Sequence, residues 1–315
     1  MPPVVAFAGQ PEQRAAYRRH LEEAAAEAGL EIELHTDPAE VDPARVDYLV
    51  FSACGVVTDF APFTRLRAIL NLWAGVEAAL RLGPPPEVPL VRMAEEGLTL
   101  GMIDYVSGHV LRHHLDIDRY IGAAPFAEWE TDYPPLARDR TVAVLGLGVL
   151  GEACARALAG HGFRVIGWAR SPKEIAGIAC RHGAGALPDV LAEAEILVLL
   201  LPHTPGTERI VDAEALARLP EGACIVNAGR GPLIDHDALL AALDAGRVRH
   251  ATMDVFDVEP LPPEHPYWRH PRVTVTPHIA SVTRPETAAR AILANIRRDL
   301  AGEPVGPVVQ RERGY

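Results

Sequence analysis

The sequence predicts an α/β fold made of two doubly wound parallel sheets. Three observations predict it. Short apolar runs alternate with helix-forming stretches from the first residues onward. One run, Thr141 to Leu145, leads through spaced glycines straight into a helix. Four later apolar runs each end in a loop rich in polar residues, proline or glycine. Alternating strands and helices form parallel sheets with helices on both faces.

Val4 to Ala8 reads as the first strand. Pro11 to Ala28 is rich in Ala, Glu and Arg and reads as a helix stopped by Gly29. Leu30 to Leu34, Tyr48 to Phe51 and Ala68 to Leu72 read as strands. The first ~95 residues therefore form a sheet of their own. Leu72-Trp73-Ala74-Gly75-Val76-Glu77 follows a strand and opens a helix, which makes its backbone N–H groups a candidate anion cradle. Gly83 to Pro89 is a breaker-rich loop. Leu100 to Tyr120 has a helical pattern. His109 and His113 share one of its faces, but no third metal ligand is evident, so the pair reads as part of a buried interface or a surface helix and no metal is expected. Ala123 to Arg140 shows no period and reads as an extended arm.

The chain is organised around Thr141-Val-Ala-Val-Leu-Gly-Leu-Gly-Val-Leu-Gly-Glu152. Gly146 permits a tight turn, Gly148 lets a pyrophosphate approach the backbone, and Gly151 lets helix pack on strand. The following helix, which includes Val149 and Leu150 and reads as stopping at Gly160, offers free N–H groups to phosphate. Strand, glycine turn, helix and a further strand, Phe163 to Trp168, form the context that makes G-x-G-x-x-G a dinucleotide fingerprint.

In the NAD form of this fingerprint an acidic residue at the end of the second strand bonds the ribose 2′-hydroxyl. Ala169 stands there, followed by Arg170, Ser171 and Lys173. A guanidinium holds a 2′-phosphate where a carboxylate would repel it. NADP(H) is the expected cofactor, with NAD(H) possible.

Four strand ends then deliver residues to one rim, where open α/β sheets bind ligands. They bring Leu201-Pro202-His203 with Thr207, then Asn227-Ala228-Gly229-Arg230, then Asp254 to Glu259, then His278 with Ala280. Reduction of a 2-keto acid needs a cation for the carboxylate and carbonyl, an acid for the developing alkoxide, and a carboxylate to orient that acid. Arg230, His278 and Glu259 suit these roles. Small neighbours, Gly229 and Gly231, are expected to let a substrate come close to Arg230. Arg284 to Leu300 reads as a helix returning to the first domain.

Bulk properties limit the alternatives. The 315 residues are 49% hydrophobic and 23% charged, with a net charge of −12. The length fits about two domains. The negative charge argues against nucleic acid as a partner. No apolar run approaches the ~18 residues of a membrane span. The N-terminus lacks the basic segment of a signal peptide, and Cys54, Cys154, Cys180 and Cys224 are widely spaced, so they read as reduced core thiols of a cytoplasmic protein.

Asn227 to Asp235, Met253 to Leu261 and Val275 to Ala280 resemble the D-isomer-specific 2-hydroxyacid dehydrogenase family, and the resemblance runs over nearly the whole chain. Leu90 to Met93, Pro260 to Trp268, Pro277 to Pro285 and the tail Arg311 to Tyr315 resemble its NADPH-using branch that reduces glyoxylate and hydroxypyruvate to glycolate and D-glycerate. The resemblance implies a Rossmann-type cofactor domain, residues 101–281, inserted in a flavodoxin-like substrate domain, residues 1–100 and 282–315. It implies that Arg230, Glu259 and His278 are catalytic, that the backbone of Ala74-Gly75-Val76 beside Trp73 binds the substrate carboxylate, and that Trp268 limits substrate size. It further implies domain closure over the site and a homodimer built through residues 102–135. Two alternatives stand beside this reading: the same chemistry on another 2-keto acid, or a dinucleotide-sensing corepressor. The chain reads as compact from Met1 to Tyr315, without the low-complexity tail a corepressor would carry.

Overall fold

The structure, a computed structural model, describes residues 1–123, 129 and 132–314. Seven residues of the expected arm (124–128, 130 and 131) and the terminal Tyr315 lie outside the described residues. The chain divides into two compact units, Met1–Leu98 with Val282–Tyr315, and Thr99–Ser281.

The first unit holds strands β1 (Val4–Ala8), β2 (Glu33–His35), β3 (Tyr48–Phe51), β4 (Ala68–Asn71) and β5 (Leu90–Val91), parallel and ordered β2-β1-β3-β4-β5. Both faces are covered. Val5 and Phe7 pack on helix α1 (Arg14–Glu27), while Val4, Ala6 and Ala8 face Val41, Val46 and Phe63. Continuous apolar strands follow from burial on both faces. Helix α2 (Glu77–Arg81) follows β4.

Helix α3 (Glu96–His114) carries the chain into the second unit, where α4 (Ile117–Ala123) follows. The single helix expected over residues 100–120 is thus two. Asp116 adopts a left-handed φ of 54° between them, and its carboxylate and that of Asp118 are ion-paired with Arg249 and Arg112.

The second sheet contains β6 (Thr141–Leu145), β7 (Arg164–Ala169), β8 (Ala179–His182), β9 (Ile196–Leu199), β10 (Ala223–Asn227), β11 (Val248–Met253) and β12 (Val273–Val275). All pairs are parallel, in the order β12-β11-β10-β9-β6-β7-β8. The order reverses between β6 and β9, the switch point at which doubly wound sheets bind ligands. Helix α5 (Val149–Gly160) and α3 cover one face through Cys154, Leu158, Val106 and Val110. On the other face lie α6 (Leu187–Glu193), α7 (Ala213–Arg218) and α8 (His236–Asp244). In the first unit α9 (Pro285–Leu300) lays Ile292, Leu293 and Ile296 on the same core as α1.

Two details differ from the sequence reading. Strand β8 was not foreseen, because Ala-Cys-Arg-His at a sheet edge has no apolar run and is mostly exposed. Only Cys154 and Cys224 are core thiols, whereas Cys54 and Cys180 are partly exposed. Helix α5 ends on Gly160 as its last helical residue, and the left-handed glycine that follows the helix is Gly162, at φ 93°.

The glycine turn divides into two kinds of constraint. A Cβ on Gly151 would lie 1.7 Å from the Gly146 carbonyl oxygen, so helix and strand would separate, whereas nothing lies within 4 Å of a Cβ on Gly148. Gly151→Ala should therefore lower stability by about 3 kcal/mol or more in denaturant titration. Gly148→Ala should leave the unfolding midpoint unchanged and weaken dinucleotide binding. Equal midpoints for the two variants would refute this division.

Candidate active site

Parallel strands send all their following loops to one edge of the sheet. In the second unit the loops after β9, β10, β11 and β12 share that edge with the glycine turn after β6. Arg170, Ser171 and Lys173 follow β7 directly on the same edge, whereas Trp268 is set by a turn before β12.

His278 follows β12, the edge strand of the sheet. Its Nδ1 lies 2.7 Å from Glu259 Oε2, and the other oxygen, Oε1, accepts the Phe256 N–H at 2.9 Å. With Nδ1–H donating to the carboxylate, Nε2 is the nitrogen that can exchange a proton with a ligand. The hydrogen bond to Glu259 raises the imidazole above its ordinary value of 6.5, against burial, which lowers it, and the Glu259 charge adds to the rise. Burial pushes the Glu259 carboxyl up, but the hydrogen bonds from His278 and Phe256 outweigh it, helped by the His278 and Arg230 charges. The carboxyl is held below its ordinary value.

The backbone at His278 is left-handed, with φ 54°, a conformation uncommon for a residue with a Cβ. Asp254 holds it there. Its Oδ1 accepts from Thr276 Oγ1 at 2.6 Å and from the Ile279 N–H at 2.9 Å, and Oδ2 accepts the Ala280 N–H at 2.9 Å. The His278 N–H donates to the Asp254 carbonyl, also at 2.9 Å. Tyr105 on α3 reaches the same network, its hydroxyl 2.6 Å from Thr276 Oγ1. Asp254, predicted as a cofactor contact, is 1% exposed and has both carboxylate oxygens engaged in shaping this loop.

Arg230 precedes a short turn, Gly231–Leu233, and its Nη1 donates to the Gly229 carbonyl at 2.6 Å. Fully buried Asn227 pins the loop: Nδ2 donates to the Arg230 carbonyl at 2.9 Å and Oδ1 accepts the Gly229 N–H at 3.1 Å. The flanking glycines meet a packing constraint of their own. A Cβ on Gly229 would meet the Leu201 carbonyl oxygen at 2.9 Å, and one on Gly231 would sit 2.1 Å from the Phe256 carbonyl carbon. They allow backbone segments of the same unit to touch.

The cofactor residues fall into two groups. Gly148 and Val149 are exposed at the start of α5, and nothing lies within 4 Å of a Cβ on Gly148, which leaves room for a pyrophosphate. Leu150 is half-buried, and Gly146 has φ 106°, so the turn fits a dinucleotide. Ala169 closes β7, and exposed Arg170, Ser171 and Lys173 follow. Thr207, by contrast, spends its hydroxyl inside its own loop, donating to the Pro202 carbonyl at 2.7 Å and accepting the Thr204 N–H at 2.9 Å. Leu201, Ala228 and Ala280 are buried, and His203 is partly exposed, 4.0 Å from Glu208.

In the first unit, Asn71 at the end of β4 donates from Nδ2 to the Trp73 carbonyl at 2.7 Å and the Gly75 carbonyl at 3.0 Å. It draws those two carbonyls inward and so shapes the Trp73–Val76 turn. Val76 is buried, Ala74 and Gly75 are half-buried and Trp73 is exposed. Asn71, Tyr105 and Thr276 were not singled out from sequence, because their roles rest on partners rather than on any motif. Exposed Trp268 donates from Nε1 to the Pro262 carbonyl at 3.0 Å. His113 is buried against β11, its Nε2 3.0 Å from Thr252 Oγ1, and His109 lies 3.4 Å from the same hydroxyl. Among the described residues no group of three His, Cys, Asp or Glu could hold a metal, and no helix is long and apolar enough to cross a membrane.

Residues 108–280 match the family model described as D-isomer specific 2-hydroxyacid dehydrogenase, NAD binding domain. Glyoxylate/hydroxypyruvate reductase A of Yersinia enterocolitica is 43% identical over 257 residues, covering 79% of this chain and 82% of that protein. A D-isomer specific 2-hydroxyacid dehydrogenase from Xanthobacter autotrophicus Py2, solved with NADPH and MES, superposes with a TM-score of 0.92 at 41% identity over the whole of both chains. The NADPH-dependent glyoxylate/hydroxypyruvate reductase of Sinorhizobium meliloti, solved with NADP and sulfate, superposes at 0.88 with 35% identity, again over both full chains.

The ion pair can be tested directly. In NMR titration the His278 imidazole should have a midpoint above 6.5, and Glu259→Gln should lower it, because the carboxylate that favours the charged ring is gone. An unchanged midpoint in Glu259→Gln would show that the pairing does not set the proton affinity.

Proposed function

We infer the reaction from the premise that this chain belongs to the D-isomer specific 2-hydroxyacid dehydrogenase family. It is an NAD(P)-dependent 2-hydroxyacid dehydrogenase. It works as an NADPH-preferring reductase of small 2-keto acids, glyoxylate and hydroxypyruvate, giving the 2-hydroxy acids glycolate and D-glycerate. The observation that carries the proton chemistry is the 2.7 Å contact between His278 Nδ1 and Glu259.

When bound, the reduced nicotinamide supplies the hydride. The chain's residues do the rest. Arg230 binds the carboxylate and polarises the keto oxygen, since its planar fork matches a carboxylate. Protonated His278 donates from Nε2 to that oxygen as it becomes an alkoxide, and Glu259 stabilises the imidazolium beforehand. Asp254, Thr276 and Tyr105 hold His278 in place. The Trp73–Val76 turn is a further carboxylate-binding element, supported by the way Asn71 turns two of its carbonyls inward. Trp268 limits substrate size.

The glycine turn from Gly146 to Gly151 holds the pyrophosphate. Arg170, Ser171 and Lys173 hold the 2′-phosphate, a reading supported by Ala169, which offers no carboxylate to repel it. We place the enzyme in the cytoplasm, where four free thiols stay reduced. We assign it a homodimeric state through the stretch that exposes Leu115, Ile117, Ile121, Trp129, Tyr133 and Leu136.

Initial rates with glyoxylate and hydroxypyruvate should be high with NADPH and low with NADH. Arg170→Asp should weaken NADPH by about 2 kcal/mol, or about thirtyfold, and spare NADH. His278→Gln should lower kcat by about 10²–10⁴-fold. An unaltered cofactor preference in Arg170→Asp would overturn the 2′-phosphate assignment, and absence of turnover with both acids would overturn the substrate assignment.

A further inference from the structure

His236, the first residue of α8, lies outside the groups assigned so far, yet three segments of the rim meet at its ring. Its Nδ1 is 2.8 Å from the Tyr267 hydroxyl, and its Nε2 is 3.1 Å from Asp257 Oδ1. The neutral ring satisfies both partners at once: Tyr267 O–H donates to Nδ1, and Nε2–H donates to the carboxylate.

Each contact leads to a functional segment. His236 continues the loop that begins at Asn227 and carries Arg230. Asp257 follows Phe256, whose N–H donates to Glu259. Tyr267 precedes Trp268 in the short turn Pro266–Trp268, and its ring, 1% exposed, anchors that turn in the core beside Phe256. A second observation shows that the first two segments are packed to tight tolerance. Gly231 lies so close to Phe256 and Asp257 that a Cβ would fall 2.1 Å from the Phe256 carbonyl carbon and 2.5 Å from the Asp257 nitrogen. His236 is the side chain that fastens this contact and extends it to the third segment.

The two bonds differ in weight. Asp257 is half-exposed, so its share is screened by water. Tyr267 is buried, and without Nδ1 its hydroxyl would lose its acceptor.

We propose that His236 is a positioning residue. Through Asp257 and Tyr267 it holds the segments bearing Arg230, Glu259 and Trp268 in one arrangement, and so sets both turnover and discrimination between the smaller and the larger keto acid. This rests on the reduction proposed above.

The test compares wild type, His236→Phe, His236→Gln and Tyr267→Phe. Kinetics with glyoxylate and hydroxypyruvate are combined with amide hydrogen exchange over residues 254–268. His236→Phe removes both bonds and should lower kcat about tenfold, since small misplacements of reacting groups are costly. It should change the hydroxypyruvate-to-glyoxylate ratio of kcat/KM, leave KM for NADPH unaltered, and speed exchange in 254–268. His236→Gln, whose amide can accept from Tyr267 and donate to Asp257, should restore kcat, ratio and exchange. Tyr267→Phe keeps the buried ring and should shift the ratio and the exchange in the same direction, by less; it decides the matter if His236→Phe does not fold. Wild-type kcat, ratio and exchange in the folded variants would overturn the proposal, as would a lowered melting temperature with unaltered kcat. Wild type inactive on both acids would overturn the substrate reading and this proposal with it, whereas an active wild type with unaffected variants would overturn this proposal alone.

Discussion

The hydrogen bond between His278 and Glu259 is the interaction to which the rest of the rim is fitted. A carboxylate beside an imidazole favours its charged form and fixes which nitrogen faces the ligand. The pair works only if two loops from different strands arrive in register. Parallel pairing of β11 with β12 brings their carboxyl ends together, and Asp254 then ties the second loop to the first through the N–H groups of residues 279 and 280. The uncommon left-handed backbone at His278 persists because these bonds over-determine it.

Around that pair, small residues and buried polar side chains act as spacers and pins. Gly151 and Gly231 are places where two backbones touch, while Gly148 faces open space. Asn227, Asp254 and Asn71 are almost fully buried, and each bonds mainly to backbone groups. Such groups are costly to leave unpaired and therefore specify one loop shape. The chemistry we propose is assigned to partly exposed side chains, Arg230, Glu259 and His278, on loops that buried groups have fixed.

The sequence made legible whatever depends on local constraint. The glycine turn could be read because turn, phosphate approach and helix packing each demand a missing side chain at a fixed spacing. The loss of an acidic residue at Ala169 could be read because its position is counted from that turn. The four rim loops could be read because each apolar strand stops abruptly. Strand β8 was invisible because an exposed edge strand needs no apolar pattern. The roles of Asn71, Tyr105 and His236 were invisible because each is defined by a partner, and Tyr105 and Thr276 stand 171 residues apart in the chain. The tight backbone contacts at Gly229 and Gly231 were also invisible, since a sequence cannot say which loop a small residue will touch.

The most direct test of His278 as the proton donor is the single-turnover rate of the chemical step, followed against pH in both directions. Reduction of glyoxylate should fall as pH rises through the raised His278 midpoint, because the donor loses its proton. Oxidation of glycolate should rise through the same midpoint, because the neutral ring is then the acceptor. Rates that are flat with pH, or that move in the same direction for both reactions, would contradict a proton relayed by His278.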